Sequence, residues 1–352
     1  MGVAGSNPVA PIFVFFWGLK PLKRRFLLFL LVLVILAGCS HLLERPSLET
    51  YRAYFTDPQA APPAWKAGQV KATFLGTTSL VFSDGETNLL IDGFFTRPGP
   101  ATELPFRKIE TNRDLVRKYL KRLELDRLSA IFVYHSHYDH AMDSAYIALQ
   151  TGAQVVGSES TAMISRGEGL SSNQIVVLEP FKPMHYGKFT VTMVPSMHVD
   201  LPWVANLTGM MGTIEAPFSQ PVSMFDYREG GTFTIHIAHP QGTAMLHGGQ
   251  YKADELKGLK ADALFLCTPG LDRLGENKDR FYDELVTQTG VKTIYPVHWD
   301  DFSISLDKPL EPLPRGAENL DAAMTYLLEK TKPHPEVKIH FLQGWEQTTL
   351  YQ

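Results

Sequence analysis

The stretch His135-Ser136-His137-Tyr138-Asp139-His140 carries four side chains that can bind a metal within six positions. An apolar run at residues 128–134 precedes it and predicts a buried strand, and residues 141–151 predict a helix. The stretch therefore lies in a loop between a strand and a helix. Side chains alternate along an extended chain, so His135 and His137 point to one side if the strand geometry continues through them. A single metal can then use both.

Asp139 and His140 come after the chain has begun to turn, so they aim at a different point, where a second metal can bind. The alternative is a polar loop that only caps the next helix, with Asp139 as the N-cap. Four ligating side chains directly after a buried strand favour the metal site over the cap.

This order of residues resembles the His-x-His-x-Asp-His signature of the metallo-β-lactamase superfamily. The resemblance implies that His135 and His137 bind the first metal and that Asp139 and His140 bind the second. It also implies the fold class, an α/β chain folded as a four-layer αβ/βα sandwich with the metals at one edge between two sheets. The opening of the domain is similar to the first strands of that superfamily, with strands predicted at residues 70–74, 79–82 and 88–91.

Two more histidines complete the ligand set that the resemblance implies. His198 follows the strand predicted at residues 189–194 and stands where the superfamily has its third ligand to the first metal. His298 follows the strand predicted at Thr293–Val297, where the superfamily carries the last histidine of the second metal. The implied cofactor is zinc, one ion or two, with other divalent metals as alternatives.

Hydrolysis is the chemistry that such a centre implies. A cation on three imidazoles keeps an open position for water and lowers the pKa of that water from about 15.7 toward about 7. Asp139 is the candidate catalytic residue, because it either binds the second metal or, with that site empty, orients the water and accepts its proton. Asp92 is a candidate to hold a ligand imidazole through its other ring nitrogen, with a structural role in a turn as the alternative.

The sequence departs from the superfamily at the residue that normally bridges both metals. After the strand predicted at residues 243–246 the chain reads His247-Gly248-Gly249-Gln250, with no acid where the superfamily has Gly-Asp. Either His247 or Gln250 takes the role, or the second site is weak, or only one metal binds. His247 is an acceptable zinc ligand, whereas a neutral amide is a poor one. Restoring an acid by Gly249→Asp is expected to strengthen the second site.

The spacing and the His298-Trp299 ending look similar to the branch that contains N-acyl-phosphatidylethanolamine phospholipase D-like and ascorbate-6-phosphate lactonase-like members. That likeness implies a small-molecule or lipid substrate with a phosphodiester or a lactone, and a β-lactam is the weaker alternative. The rival hypothesis is a metal- or ligand-binding envelope lipoprotein that keeps the fold with little or no turnover. The missing acid favours the rival, and the intact candidate ligands favour an enzyme.

The N-terminus resembles a bacterial lipoprotein signal peptide. A basic stretch at residues 20–25 and an apolar stretch at residues 26–37 lead to Leu36-Ala37-Gly38-Cys39, which is similar to a lipobox with Cys39 as the lipidated residue. The apolar stretch is short for a membrane span. Acyl chains on Cys39 would hold the protein at a membrane, and Ser40 favours the outer membrane. We therefore expect a lipid-anchored protein of the bacterial cell envelope that faces the periplasm.

The chain divides into three parts. Residues 1–39 are the signal peptide, of which 1–19 are interpreted as a start assigned too far upstream; residues 40–68 are a tether with one short helix; and residues 69–352 are the hydrolase domain. Residues 200–228 lack a regular pattern and are typical of a lid or binding loop, with core packing as the alternative.

A net charge of −4 gives no electrostatic footprint for nucleic acid, so no such partner is expected. Cys267 ends an apolar run and is interpreted as a buried structural thiol.

The rest of the chain alternates between predicted strands and helices. Further helices are predicted at residues 112–123, 158–166, 279–289 and 317–332, and further strands at residues 154–156, 175–178, 232–238, 263–266 and, last in the chain, 337–341. Two halves of strands and helices fit the sandwich that the resemblance implies.

Overall fold

Two seven-stranded sheets form the centre of the molecule. The structure, a computed structural model, describes residues 42–56, 66, 68–100, 102, 106–200 and 208–351. The strands are β1 (Lys71–Phe74), β2 (Leu80–Ser83), β3 (Asn88–Ile91), β4 (Lys108–Ile109), β5 (Ala130–Phe132), β6 (Gln154–Gly157), β7 (Ile175–Val177), β8 (Met184–Tyr186), β9 (Phe189–Pro195), β10 (Val222–Ser223), β11 (Phe233–His239), β12 (Gly242–His247), β13 (Ala263–Cys267), β14 (Thr293–Val297), β15 (Lys338–Ile339) and β16 (Gln347–Thr349). The α-helices are α1 (Arg113–Arg122), α2 (Tyr138–Ala141), α3 (Ser144–Thr151), α4 (Glu159–Gly167), α5 (Lys278–Tyr282) and α6 (Leu320–Thr331).

The first sheet has the order β16-β1-β2-β3-β5-β6-β7, and the second has the order β15-β14-β13-β12-β11-β9-β8. The two sheets face each other through aromatic contacts. Phe82 of β2 packs edge-on against Phe265 of β13 at 5.6 Å between ring centroids, and Phe132 of β5 meets Tyr186 of β8 at 5.5 Å. Two sheets with helices give the α/β four-layer sandwich, so the predicted fold class is confirmed.

Parallel pairing explains the apolar runs in the sequence. The strands β3, β5, β6 and β7 pair in parallel, and so do β12, β13, β14 and β15. Strands in parallel sheets are covered on both faces and therefore read as continuous apolar segments, as β5 and β13 do with every residue buried. The carboxyl ends of these strands meet at one edge of the sandwich, where loops can gather polar side chains from distant parts of the chain.

Most elements lie where the sequence predicts them, and several differ. The chain does not end with the strand predicted at residues 337–341, because β16 follows and pairs antiparallel with β1. β8, which is only three residues long, was not predicted and pairs with β9 at the sheet edge. The helix predicted at residues 279–289 is α5 followed by a π-helical segment, Asp283–Thr287. The helix predicted at residues 141–151 is divided into α2 and α3.

The segment predicted as a tether contains a 3₁₀-helix, Leu48–Tyr54, that packs on the body of the protein. The Tyr51 ring stacks on Phe341 at 5.7 Å, and its hydroxyl donates to Asp321 of α6 at 2.6 Å. The signal peptide with Cys39, and Trp203 of the irregular segment, lie outside the described residues. None of the helices within the described ranges combines the length and the apolar character that crossing a membrane requires.

Candidate metal centre

The loop after β5 is held in place on both sides. The backbone N–H of Ser136 donates to the carbonyl of Glu229 at 2.9 Å, and its hydroxyl lies 2.9 Å from that of Thr161 on α4. His137 is the N-cap residue of α2, but its side chain makes no capping hydrogen bond. Asp139 lies inside that turn, so the alternative that Asp139 caps the helix is wrong. The side chains of this loop are instead buried inside the molecule.

The first cluster consists of His135, His137 and His198, whose ligating atoms lie within 4.8 Å of one another. His135 Nε2 is 2.9 Å from His137 Nδ1, and the ring centroid of His198 is 4.6 Å from that of His135. The other nitrogen of His137 is 3.1 Å from the carbonyl oxygen of Met210. That contact fixes the ring with Nδ1 toward the cluster. The strand β9 delivers His198 from the second sheet, so the cluster joins the two sheets.

The second cluster consists of Asp139, His140 and His298, again with their ligating atoms within 4.8 Å. Asp139 Oδ2 lies 3.4 Å from Nε2 of both His140 and His298. His298 follows β14 with φ 60°, and its backbone N–H donates to the carbonyl of Thr77 at 2.8 Å. A buried ion pair next to it fixes this turn, because Asp300 accepts from Arg97 at 2.7 Å and from the backbone N–H of Thr77 at 2.6 Å.

Asp92 lies behind the second cluster. Its Oδ2 is 2.8 Å from His140 Nδ1 and also accepts from the Thr78 hydroxyl, while Oδ1 accepts from the backbone N–H of Tyr134 at 2.7 Å. A carboxylate can only accept, so Nδ1 of His140 carries the proton. The lone pair of His140 then lies on Nε2, which faces Asp139.

The donor set fits divalent cations. His140 Nε2 is buried and has no hydrogen-bond partner in the part of the chain that the structure describes. Burial lowers the pKa of His135 and lowers that of His137 to about 3, with the neighbouring imidazoles acting in the same direction on both. Burial alone would raise the pKa of Asp139, but His140 and His298 outweigh it and hold that pKa below its usual range. Neutral imidazoles and an ionised carboxylate are the forms that bind metal.

The residues at the end of β12 do not join either cluster. His247 has one ring nitrogen on the carbonyl of Gly248 and the other on the carboxylate of Glu255, so the structure does not bring it to the centre. A side chain at Gly249 would overlap the carbonyl oxygen of Pro269. The substitution Gly249→Asp therefore cannot place an acid there without moving the backbone, and the expectation attached to it is wrong.

Both clusters open into one cavity of about 1170 Å³. Met210 and Met224, from the irregular segment, line this cavity, in agreement with the binding-loop interpretation, and both side chains are also buried. Cys267 lines it too, and burial raises the pKa of its thiol, so the group is a neutral buried thiol. Arg273 and Lys308 add positive charge to the wall.

Glu318 is a cavity residue that the sequence analysis missed. It precedes α6, is 8% exposed and lines the same cavity as the clusters. Burial raises the pKa of its carboxyl to about 8, with the Thr268 hydroxyl and His298 acting in the opposite direction. A single acidic residue before a helix resembles an ordinary surface residue, and no sequence signal distinguishes it.

Comparison with known proteins agrees with this architecture. The family model described as Metallo-beta-lactamase superfamily matches residues 72–217. Igni18, a metallo hydrolase from the hyperthermophilic archaeon Ignicoccus hospitalis KIN4/I, has a TM-score of 0.50 and 14% identity, covering 80% of this chain and 97% of its own. At that identity the likeness shows the fold alone. No curated protein matches the chain.

Two further structures are similar at lower scores. The isothiocyanate hydrolase from Delia radicum gut bacteria has a TM-score of 0.49 and 15% identity, covering 80% of this chain and 100% of its own. CmlA, a diiron β-hydroxylase from Streptomyces venezuelae, has a TM-score of 0.47 and 13% identity, covering 82% of this chain and 55% of its own.

Proposed function

We propose that this chain is a metal-dependent hydrolase of the metallo-β-lactamase superfamily that acts on a phosphodiester or a lactone in a small-molecule or lipid substrate. The observation that carries the proposal is the pair of three-donor clusters, each within 4.8 Å, that share one cavity. The match of the family model over residues 72–217 supports it. Zinc is the proposed metal, because imidazole and carboxylate donors suit it, and iron or manganese are the alternatives to test.

The side chains have separate roles in the proposed reaction. Bound divalent cations would supply Lewis acidity and a water of lowered pKa at neutral pH. His135, His137 and His198 would hold the first cation as neutral imidazoles, and Asp139, His140 and His298 would hold the second. Asp139 is ionised, so with the second site empty its carboxylate can instead orient the attacking water and accept a proton from it. Asp92 keeps the proton of His140 on Nδ1 and leaves Nε2 free to ligate.

The cavity supports an amphiphilic substrate. Met210, Met224 and Phe302 are apolar residues of its lining, and Arg273 and Lys308 are cationic ones. An apolar chain can pack on the apolar residues and an anionic group can bind the cationic ones. A phosphodiester of a lipid has both parts. A lactone with an acyl chain can use the apolar residues in the same way.

A lipid anchor at Cys39 is part of the proposal, because the chain just after it borders the cavity. The backbone N–H of Gly316 donates to the carbonyl of Leu42 at 2.8 Å, and Leu43 lines the cavity while 73% exposed. Three peptide units separate Cys39 from Leu42, a span of about 11 Å at most. Lipidation would therefore hold the cavity close to a membrane, where a lipid substrate could enter it.

The test is hydrolysis by the full-length protein loaded separately with Zn²⁺, Mn²⁺ or Fe²⁺. A chromogenic phosphodiester, an acyl lactone and a phospholipid in vesicles are the three substrates. We expect turnover of at least one by the wild type and by His185→Ala, a control on an exposed strand histidine, and loss of turnover in His137→Ala. Bound metal with no turnover of any substrate would favour the binding lipoprotein instead.

A further inference from the structure

Glu318 is the exception among the buried acids of the protein. Both of its carboxylate oxygens are inaccessible to solvent, and neither has a hydrogen-bond partner among the residues that the structure describes. The nearby Thr268 hydroxyl lies outside hydrogen-bond geometry and is 3.5 Å from the carbonyl of Val297 instead. No other buried carboxylate in the described ranges leaves both oxygens unpaired.

Asp143 shows how another deeply buried acid is paired with hydrogen-bond donors. Asp143 accepts from the backbone N–H groups of Phe95 and Thr96 at 2.7 Å each and from the Thr96 hydroxyl at 2.6 Å. A buried carboxylate without donors is costly, because the protein does not replace the water it has lost. No described residue therefore supplies the partner that the Glu318 carboxylate lacks.

The metal centre is short of negative charge, and Glu318 is an acid that can supply it. The two clusters contain five imidazoles and one carboxylate, Asp139. Two divalent cations bring four positive charges close together, and a single carboxylate offsets one of them. The end of β12 cannot supply a second acid, because a side chain at Gly249 would overlap Pro269.

Glu318 is close enough to the second cluster to act on its charge. It lines the same cavity as His298, and the two side chains interact electrostatically. It comes from the loop before α6, and the glycines that follow β12 line the same cavity.

We propose that Glu318 is the second acidic group of the metal centre and balances the cation held by Asp139, His140 and His298. This inference rests on the proposed function, because it needs a cation in the second cluster. It assigns the role of the absent acid at residues 248–250 to a residue from a different part of the chain.

The experiment is a titration of the metal-free full-length protein with Zn²⁺ against a chromophoric chelator. In Glu318→Gln, which keeps the shape and removes the charge, we expect the affinity of the second site to fall about tenfold or more with the first site unchanged. Asp272→Asn is the matched control, because Asp272 is a neighbouring acid that is partly exposed and lies 3.6 Å from Arg273. It should keep both affinities.

Thermal unfolding provides an independent measurement. Glu318→Met removes the unpaired polar group and fills a similar volume, so the metal-free variant should unfold at a higher temperature than the wild type. Its gain in melting temperature on adding Zn²⁺ should be smaller than that of the wild type, because the second ion binds less. The same variant serves if Glu318→Gln does not fold.

Three results would overturn the inference. The first is a second-site affinity that is the same in the wild type and in both Glu318 variants. The second is a wild type that binds one ion only. The third is a rise in KM alone, which would mean that Glu318 receives a hydrogen-bond donor from the substrate. In each of them the first site still binds and the proposed hydrolase stands. A wild type that binds no metal at all would instead remove the proposed function.

Discussion

Replacing Asp92 by Asn is expected to disable the second cluster without changing the size of the side chain. Oδ1 of Asp92 accepts from the Tyr134 backbone N–H at 2.7 Å, and Oδ2 faces His140 Nδ1 at 2.8 Å and the Thr78 hydroxyl. Asparagine offers one acceptor oxygen and one donor NH₂ group in these places. With its oxygen kept on Tyr134, its NH₂ group faces His140.

The donor NH₂ group forces His140 into the other tautomer. Nδ1 must then accept, and the proton moves to Nε2, the atom 3.4 Å from Asp139 that would ligate a cation. A protonated ring nitrogen cannot bind metal. Removing a carboxylate that supports a ligand histidine costs about 10- to 100-fold in metal affinity, which is about 1.4–2.8 kcal/mol. The first cluster should keep its affinity, because Asp92 bonds to none of its three histidines in the described structure.

Zinc titration against a chromophoric chelator measures the two affinities separately. Asp84→Asn is the matched control, because Asp84 is also buried and accepts from the backbone N–H groups of Glu86 and Thr87 at 2.9 and 2.7 Å, but at the other end of β2. It should lower stability and leave both affinities unchanged. An undiminished second-site affinity in Asp92→Asn, with the fold intact by circular dichroism, would refute the tautomer argument.

Three further predictions follow from the anchor and the first cluster. Cys39→Ala is expected to move the protein out of the membrane fraction; membrane association of the variant, with no acyl group on the wild type, contradicts the anchor. His135→Ala and His137→Ala are each expected to lose the first metal and keep the fold, and full metal content in both by elemental analysis contradicts the cluster. The metal-free protein is expected to lose stability as the pH falls from 6.5 toward 3, because the folded pKa of His137 is about 3 and the unfolded chain binds the proton first. His137→Ala should reduce that loss, on the order of 5 kcal/mol for this group, and an equal loss of melting temperature in the variant would contradict it.

The sequence by itself determined the features that depend on local pattern. The ranges Asn88–Ile91 and Thr293–Val297 were predicted as the structure has them, because buried strands in parallel sheets leave a continuous apolar run. The stretch from His135 to His140 was identified for a related reason. It follows such a run directly, and its ligands are close in the chain, so the backbone alone brings them together.

Tertiary structure decided which distant residues meet. His198 and His298 come from strands of the second sheet, and the packing of that sheet against the first is what completes each cluster. Tertiary contacts also place His247 against Glu255, leave no room for a side chain at Gly249, and bury Glu318 in the cavity. Local periodicity reports whether a residue is covered, but not by which element. Where a side chain contacts residues that are distant in the sequence, those partners are fixed only by the register and the connections of the two sheets.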